Sequence, residues 1–317
     1  MIAPSHVVKP LATHPASNSE MKMRLRTGMI LIYLLLSGIA GAQSNIAPSI
    51  PATPAVTDPQ EIIRRTAEND IANNQKERDY TYIQRGVQKK LNGKGEIDHT
   101  ETRTSEVMVL FGEHVERLIE KDDKPLSPKD AAKEEEKINK LIEERKNEDE
   151  NHRRKRLEKY EKEKDEQRAF VKEIPQAYNL TLLPDEAIDG RDVYVITAEP
   201  RPGYEPQTKD SKFLTKFRFH VWIDKAEFQW SRLDAEAVDT ISFGLFLARL
   251  HKGSRLHLEQ TRINDEIWLP KFLNIKLDAK LLLLKSLNYD IDVAFRDYKK
   301  FRTETKITPA ETAPSNP

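Results

Sequence analysis

The joints between its apolar runs constrain this chain more than any other feature. Asp189-Gly190, Asp224-Lys225-Ala226-Glu227, Lys252-Gly253-Ser254 and Asn264-Asp265 separate segments in which apolar and polar residues alternate. Connections this short join only antiparallel neighbours, since a parallel crossover takes about a dozen residues or more. The runs they separate are Val193 to Ala198, Phe217 to Ile223, Phe228 to Leu233, Leu245 to His251, Leu256 to Ile263, Ile267 to Leu283 and Leu287 to Phe295, with the same texture starting at Leu180. Earlier, Tyr80 to Lys121 shows the same period of two in Tyr80/Tyr82/Gln84 and Val107/Val109/Phe111, and Asn92-Gly93-Lys94-Gly95 forms a turn, which predicts three more strands. The whole reads as one antiparallel sheet of about nine to eleven strands, too many to stay flat.

Two helical patterns interrupt the strands. Gln60 to Arg78 places Ile62, Ile63, Ala67 and Ile71 on one side, with Glu61 in the first turn, as an amphipathic helix does. Ser127-Pro128-Lys129-Asp130 is a helix start, with a capping serine and a proline at the first helical position. From Lys129 to Arg168, 14 basic and 14 acidic residues fill 28 of 40 positions. Apolar residues gather at the two ends, Ile138, Leu141 and Ile142 at one and Leu157, Tyr160, Phe170 and Val171 at the other. The expectation is a charged helical hairpin over 127–173, folded near Asn147 to Asn151; a single rod of about 70 Å is the alternative.

Residues 1–42 read as an export signal: Lys22, Arg24 and Arg26 precede the apolar run Met29 to Leu36, and Ser37-Gly38-Ile39-Ala40-Gly41-Ala42 is a small-residue cleavage site. Met29 to Ala42 is 14 residues, whereas a membrane span takes about 20. Met21 is the better start, and 1–20 lie upstream of it. Pro48, Pro51, Pro54 and Pro59 make 43–59 a tether, 60–302 the folded domain, and 303–317 a disordered tail. No cysteine occurs, so there is neither a disulfide, a thiolate metal site nor a lipid-modified terminus. The expected address is the periplasm, with no integral membrane span after cleavage.

Charge and motifs exclude more than they select. The 317 residues carry 52 basic and 52 acidic side chains, and without 1–42 the balance is 48 to 51. No nucleic-acid partner is expected, and the basic run Arg153 to Arg156 is answered by Glu148-Asp149-Glu150. No nucleophile elbow, phosphate-cradling loop, zinc-protease helix or dinucleotide fingerprint is present. His251 and His257 flank a turn and are able to meet across strands, with Glu259 as the one acid on their face. Two histidines and one acid fall short of a metal or acid–base constellation. The expectation is no catalytic residue, no metal, no cofactor and no enzymatic activity.

What remains is an apolar face. Phe217, Phe219, Val221 and Ile223 share one side of a strand, and Arg218, His220 and Trp222 the other. A hairpin through Lys225-Ala226 would set Ile223 opposite Phe228 and Val221 opposite Trp230. Phe217, Phe219, Val221, Phe228 and Trp230 are therefore the candidate ligand-binding residues, and Leu273, Ile275, Leu277, Leu281 and Leu283 extend the texture. The same residues serve equally as core under a helix.

Gly190-Arg191-Asp192-Val193-Tyr194-Val195-Ile196, then Phe219-His220-Val221-Trp222-Ile223-Asp224 and Phe228-Gln229-Trp230, resemble the bacterial outer-membrane lipoprotein carrier and lipoprotein-sorting superfamily, which has relatives among periplasmic anti-sigma regulators. The resemblance spans about Pro59 to Arg302, with Ser127 to Glu173 as a departure. It implies an α+β fold: a large curved antiparallel sheet, an incomplete half-barrel, covered by helices on an apolar concave face that receives acyl chains, with no catalytic residues. The reading is an exported carrier or sensor of a lipid or acylated protein. The alternative is a cell-envelope scaffold whose charged hairpin binds an envelope protein partner.

Overall fold

The computed structural model describes residues 57–300, apart from 78, 112, 157, 159–172, 208–209, 244–247 and 282–284. The export signal, residues 43–56 of the tether and the tail fall outside the described residues. Among the described residues thirteen strands form one sheet: β1 (Tyr80–Leu91), β2 (Ile97–Leu110), β3 (Glu113–Lys121), β4 (Lys124–Pro125), β5 (Tyr178–Ile188), β6 (Arg191–Pro200), β7 (Phe217–Asp224), β8 (Trp230–Ala237), β9 (Ile241–Phe243), β10 (Ala248–Leu250), β11 (Arg255–Ile263), β12 (Ile267–Leu281) and β13 (Lys285–Lys300). The count exceeds the expected nine to eleven or so because β4 and β9 have two and three residues, too few to show a period.

The sheet is antiparallel throughout, in the order β4-β3-β2-β1-β13-β12-β11-β8-β7-β6-β5, with β10 paired to β12 and β9 to β10. It does not close: β4 and β5 stand at its two edges. Those edges are consecutive strands in the sequence, so the charged segment is the connection between them. Turn chemistry fixes the hairpins. The β5–β6 turn has φ 51° at Asp189 and 77° at Gly190, and the β11–β12 turn has φ 50° at Asn264 and 54° at Asp265, the paired left-handed residues that match strand twist. Register shifts interrupt β1–β2, β1–β13, β2–β3, β5–β6, β7–β8 and β11–β12, and bulges of this kind bend a sheet that would otherwise lie flat.

Helix α1 (Pro59–Glu77) buries Ile62, Ile63, Thr66 and Asn73, one stripe of its surface. On its outer side Arg64 lies 2.7 Å from Glu61 and 2.6 Å from Glu68, and Arg65 lies 2.7 Å from Glu61. The helix packs on β5 and on the start of β12. Helix α2 (Pro128–Lys146) starts where the sequence places it: the Ser127 hydroxyl accepts the Asp130 N–H at 3.2 Å. It ends at Asn147, packs on β3, and buries one side chain, Ile138. The chain is helical again over 150–156, where Arg156 reaches Glu113 at 2.7 Å, and residues 157 and 159–172 of the expected second arm lie outside the described residues.

Candidate functional site

Cross-strand register turns the alternation of each strand into continuous rows. On the face under α1, one row runs Leu182, Ile196, Val221, Leu233, Leu258, Leu273, Val293 from β5 to β13. Beside it runs Leu180, Ala198, Phe219, Ala235, Leu256, Ile275, Ile291. Each row is apolar across seven strands in succession, which no single strand reveals.

Helices cover one end of these rows. Ile62 and Ile63 of α1 pack with Tyr194, Ile196, Val221 and Ile223, and Ile174, Phe228, Trp230 and Leu233 border that cluster. A second cluster joins Ala177, Tyr178, Ala198 and Leu214, the last on a short 3-10 helix (Asp210–Lys216), with Phe219 and Tyr204 at its border. The Tyr178 and Phe219 rings meet edge-on at 5.4 Å, and Phe217 lies 6.2 Å from Phe219. Burial pushes the Tyr178 hydroxyl far up from its ordinary value. Burial, aided by the Glu173 carboxylate it bonds, pushes Tyr204 up to about 12.

The five candidate residues thus divide between two covered clusters. Val221, 7% exposed, sits under α1 with Phe228 and Trp230, while Phe219 lies with Tyr178 and stands next to Phe217. The expected pairing is corrected: Ile223 faces Trp230 and Val221 faces Leu233, with a shift after Trp222 that leaves Ser231 as an extra residue. The cause is the turn. The Asp224 carboxylate accepts the N–H groups of Ala226 and Glu227 at 3.0 and 2.8 Å, and Phe228, at φ 49°, belongs to the loop and donates its N–H to the Asp224 carbonyl. Arg191 grips Asp224 with Nε at 2.5 Å and Nη2 at 3.0 Å. The GRD and WID segments of the sequence are therefore two halves of one ion pair.

Polar contacts pin α1 along its length. Asn69 donates to the Glu227 carbonyl at 2.7 Å, Asp70 accepts the Trp230 indole N–H at 2.8 Å, and Asn73 bonds the Trp268 backbone. None of these was foreseen, because amides and acids in a polar helix carry no pattern of their own. Farther along the rows, Leu256, Ile275, Ile291 and Val293 are only half-buried, as are Leu277 and Tyr289 on the same face. The principal helix contacts among the described residues fall on β3, β5, β6 and the start of β12.

The opposite face is charged over most of its width. Arg218 meets Glu236 at 2.8 Å and Lys89 meets Asp292 at 3.1 Å. The two histidines that flank the β10–β11 turn take separate partners: His251 Nδ1 lies 2.9 Å from Asp278, and His257 lies 2.5 Å from Asp234 and 3.2 Å from Glu259. Among the described residues no group of three metal-ligating side chains converges.

No family model matches the chain, and no curated protein matches it either. Solved structures do. A DUF1329 family protein from Desulfovibrio piger is 12% identical, with a TM-score of 0.29 over 80% of this chain and 96% of its own. An outer-membrane lipoprotein-sorting protein domain from Vibrio parahaemolyticus is 13% identical, TM-score 0.27, over 77% and 95%. A LolA superfamily protein from Nitrosomonas europaea is 10% identical, TM-score 0.28, over 78% and 94%. At such TM-scores these likenesses assign neither family nor ligand, and the rows themselves carry the reading that follows.

Proposed function

We propose that this chain is an exported, non-enzymatic binding protein of the bacterial periplasm that holds an acyl chain, of a lipid or an acylated protein, on the inner face of its open sheet. The supporting observation is the pair of apolar rows, each seven strands wide, in which Leu256, Ile275, Ile291 and Val293 are half-buried beyond α1 over a floor that includes the buried Leu258 and Leu273. Burying such side chains under a hydrocarbon tail removes apolar surface from water at about 25 cal/mol per Å². No helix among the described residues is long and apolar enough to cross a membrane. Phe217, Phe219, Val221, Phe228 and Trp230 form the covered end of the same face, against which the tail ends.

The test uses the purified full chain and the apolar dye N-phenyl-1-naphthylamine. The dye brightens on binding and dodecanol displaces it; Ile275→Glu, folded by circular dichroism, loses both effects. A wild type that neither brightens the dye nor takes up dodecanol removes the reading. The scaffold alternative rests on α2, whose exposed charged surface surrounds the one buried Ile138. Capture of an envelope protein that weakens with salt would favour it, since an apolar face is not screened.

A further inference from the structure

The chemistry of the inner face changes at one seam. In the first row Val293 on β13 is followed by Gly86 on β1, Arg103 on β2 and Lys121 on β3. In the second, Ile291 is followed by Gln88 and Glu101, and in a third, Tyr289 by Lys90 and His99. Each of these three rows, apolar through β13, turns polar beyond it, at β1 in two of them and at β2, past Gly86, in the first.

The polar side of the seam is cationic and incompletely neutralised. Glu101 serves both Arg103, at 2.7 Å, and Lys121, at 3.9 Å, and those two cations are 53% and 55% exposed. One carboxylate against two cations leaves room for one more anion. Between them and Val293 stands Gly86, in the middle of a strand, where glycine weakens the pairing and marks the approach of another group. A side-chain carbon there would meet nothing nearer than the carbonyl oxygens of Arg103 and Asp292, each 4.0 Å away. From Gly86 to Leu233, where the α1 cover begins, are four interstrand steps, about 19 Å by strand spacing, the length of a long acyl tail.

Building on the acyl reading, we infer that the ligand is a long-chain carboxylate, its tail along the rows of β13, β12, β11 and β8 and its head over Gly86 against Arg103 and Lys121. The apolar rows hold the tail, and the seam selects a monoanionic head over a neutral one.

The experiment measures displacement of N-phenyl-1-naphthylamine from the full chain by dodecanoate and by dodecanol at pH 8 in low salt. The ratio of the two affinities, rather than either alone, reads the head. In Arg103→Gln/Lys121→Gln the ratio is expected to shift against dodecanoate by about fivefold, the worth of an exposed ion pair, with dodecanol unchanged. Glu101→Gln, which frees both cations, is expected to shift it the other way. An unchanged ratio in both variants overturns the inference while leaving the acyl reading intact. Failure of both amphiphiles to displace the dye from wild type overturns the two together.

Discussion

Asn73 and the backbone of Trp268 exchange two hydrogen bonds, side-chain Nδ2 to carbonyl oxygen at 2.6 Å and amide N to side-chain Oδ1 at 2.8 Å. A helix residue thereby behaves as a strand neighbour, satisfying both backbone groups at the start of β12 in a place where Asn73 is 7% exposed. Buried polar groups stranded by loss of their partner cost about 1–3 kcal/mol each. Asn73→Ala is expected to destabilise by about 3 kcal/mol, and Asn73→Asp, which keeps the acceptor but loses the donor and buries a charge, by at least as much. Thermal unfolding followed by circular dichroism checks both; a change in melting temperature of under a degree would remove Asn73 from the docking of α1.

Asp224 is 1% exposed and depends on Arg191, which is one-third exposed. Removing one partner of a buried pair leaves an uncompensated charge, at a cost of about 3–5 kcal/mol, whereas a neutral exchange of the whole pair costs less. Arg191→Ala is expected near the lower figure, because Asp224 keeps its two turn N–H donors. Arg191→Ala/Asp224→Asn should recover part of the loss. Chemical denaturation of the single and double variants measures the coupling, and additive losses would show that the pair does not act as a unit.

Glu61 ties α1 electrostatically. Side-chain bonds from Arg64 and then Arg65 hold its carboxyl down to about 2, from an ordinary value of 4.5. A carboxyl depressed by folding contributes stability above its unfolded value and loses it as pH falls through the folded one. The contribution is therefore whole above about pH 4.5 and gone near pH 2. Because the group is at the surface, the effect is screened by salt. A melting temperature that falls over this window less steeply in Glu61→Gln than in wild type, and less in high salt, is the expected result.

Strand existence was legible because turn residues and period-two alternation are local. Asp189-Gly190 and Asn264-Asp265 announce their hairpins through left-handed backbone, and Ser127-Pro128 announces α2. The β7–β8 register was not legible, since Asp224 lengthens the turn through its own side chain and Ser231 bulges in response. Nor could the sequence order β1 beside β13, or set Val293 next to Gly86, because pairing between the first and last strands is a property of the whole sheet. The candidate face was visible strand by strand; which part of it lies under α1 and which is half-buried depends on where Ile62 and Ile63 land.

That division yields a further test, since Ile223 and Ile291 occupy the same face in different states. Ile223 is fully buried beneath α1, in the cluster with Ile62 and Ile63, whereas Ile291 is half-buried on β13. Truncating a buried isoleucine forfeits its transfer energy and leaves a cavity, so Ile223→Ala is expected to cost about 3 kcal/mol. Ile291→Ala loses only part of a side chain's burial and opens no enclosed cavity, an expected cost of about 1 kcal/mol. Binding should follow the opposite order. Under the acyl reading Ile291 touches the tail directly, so Ile291→Ala weakens dodecanol displacement of the dye severalfold, while Ile223→Ala, measured well below its lowered melting temperature, leaves it close to wild type. Equal stability losses would mean that β13 is as covered as β7, and a binding loss confined to Ile223→Ala would move the ligand from the half-buried rows to the cluster under α1.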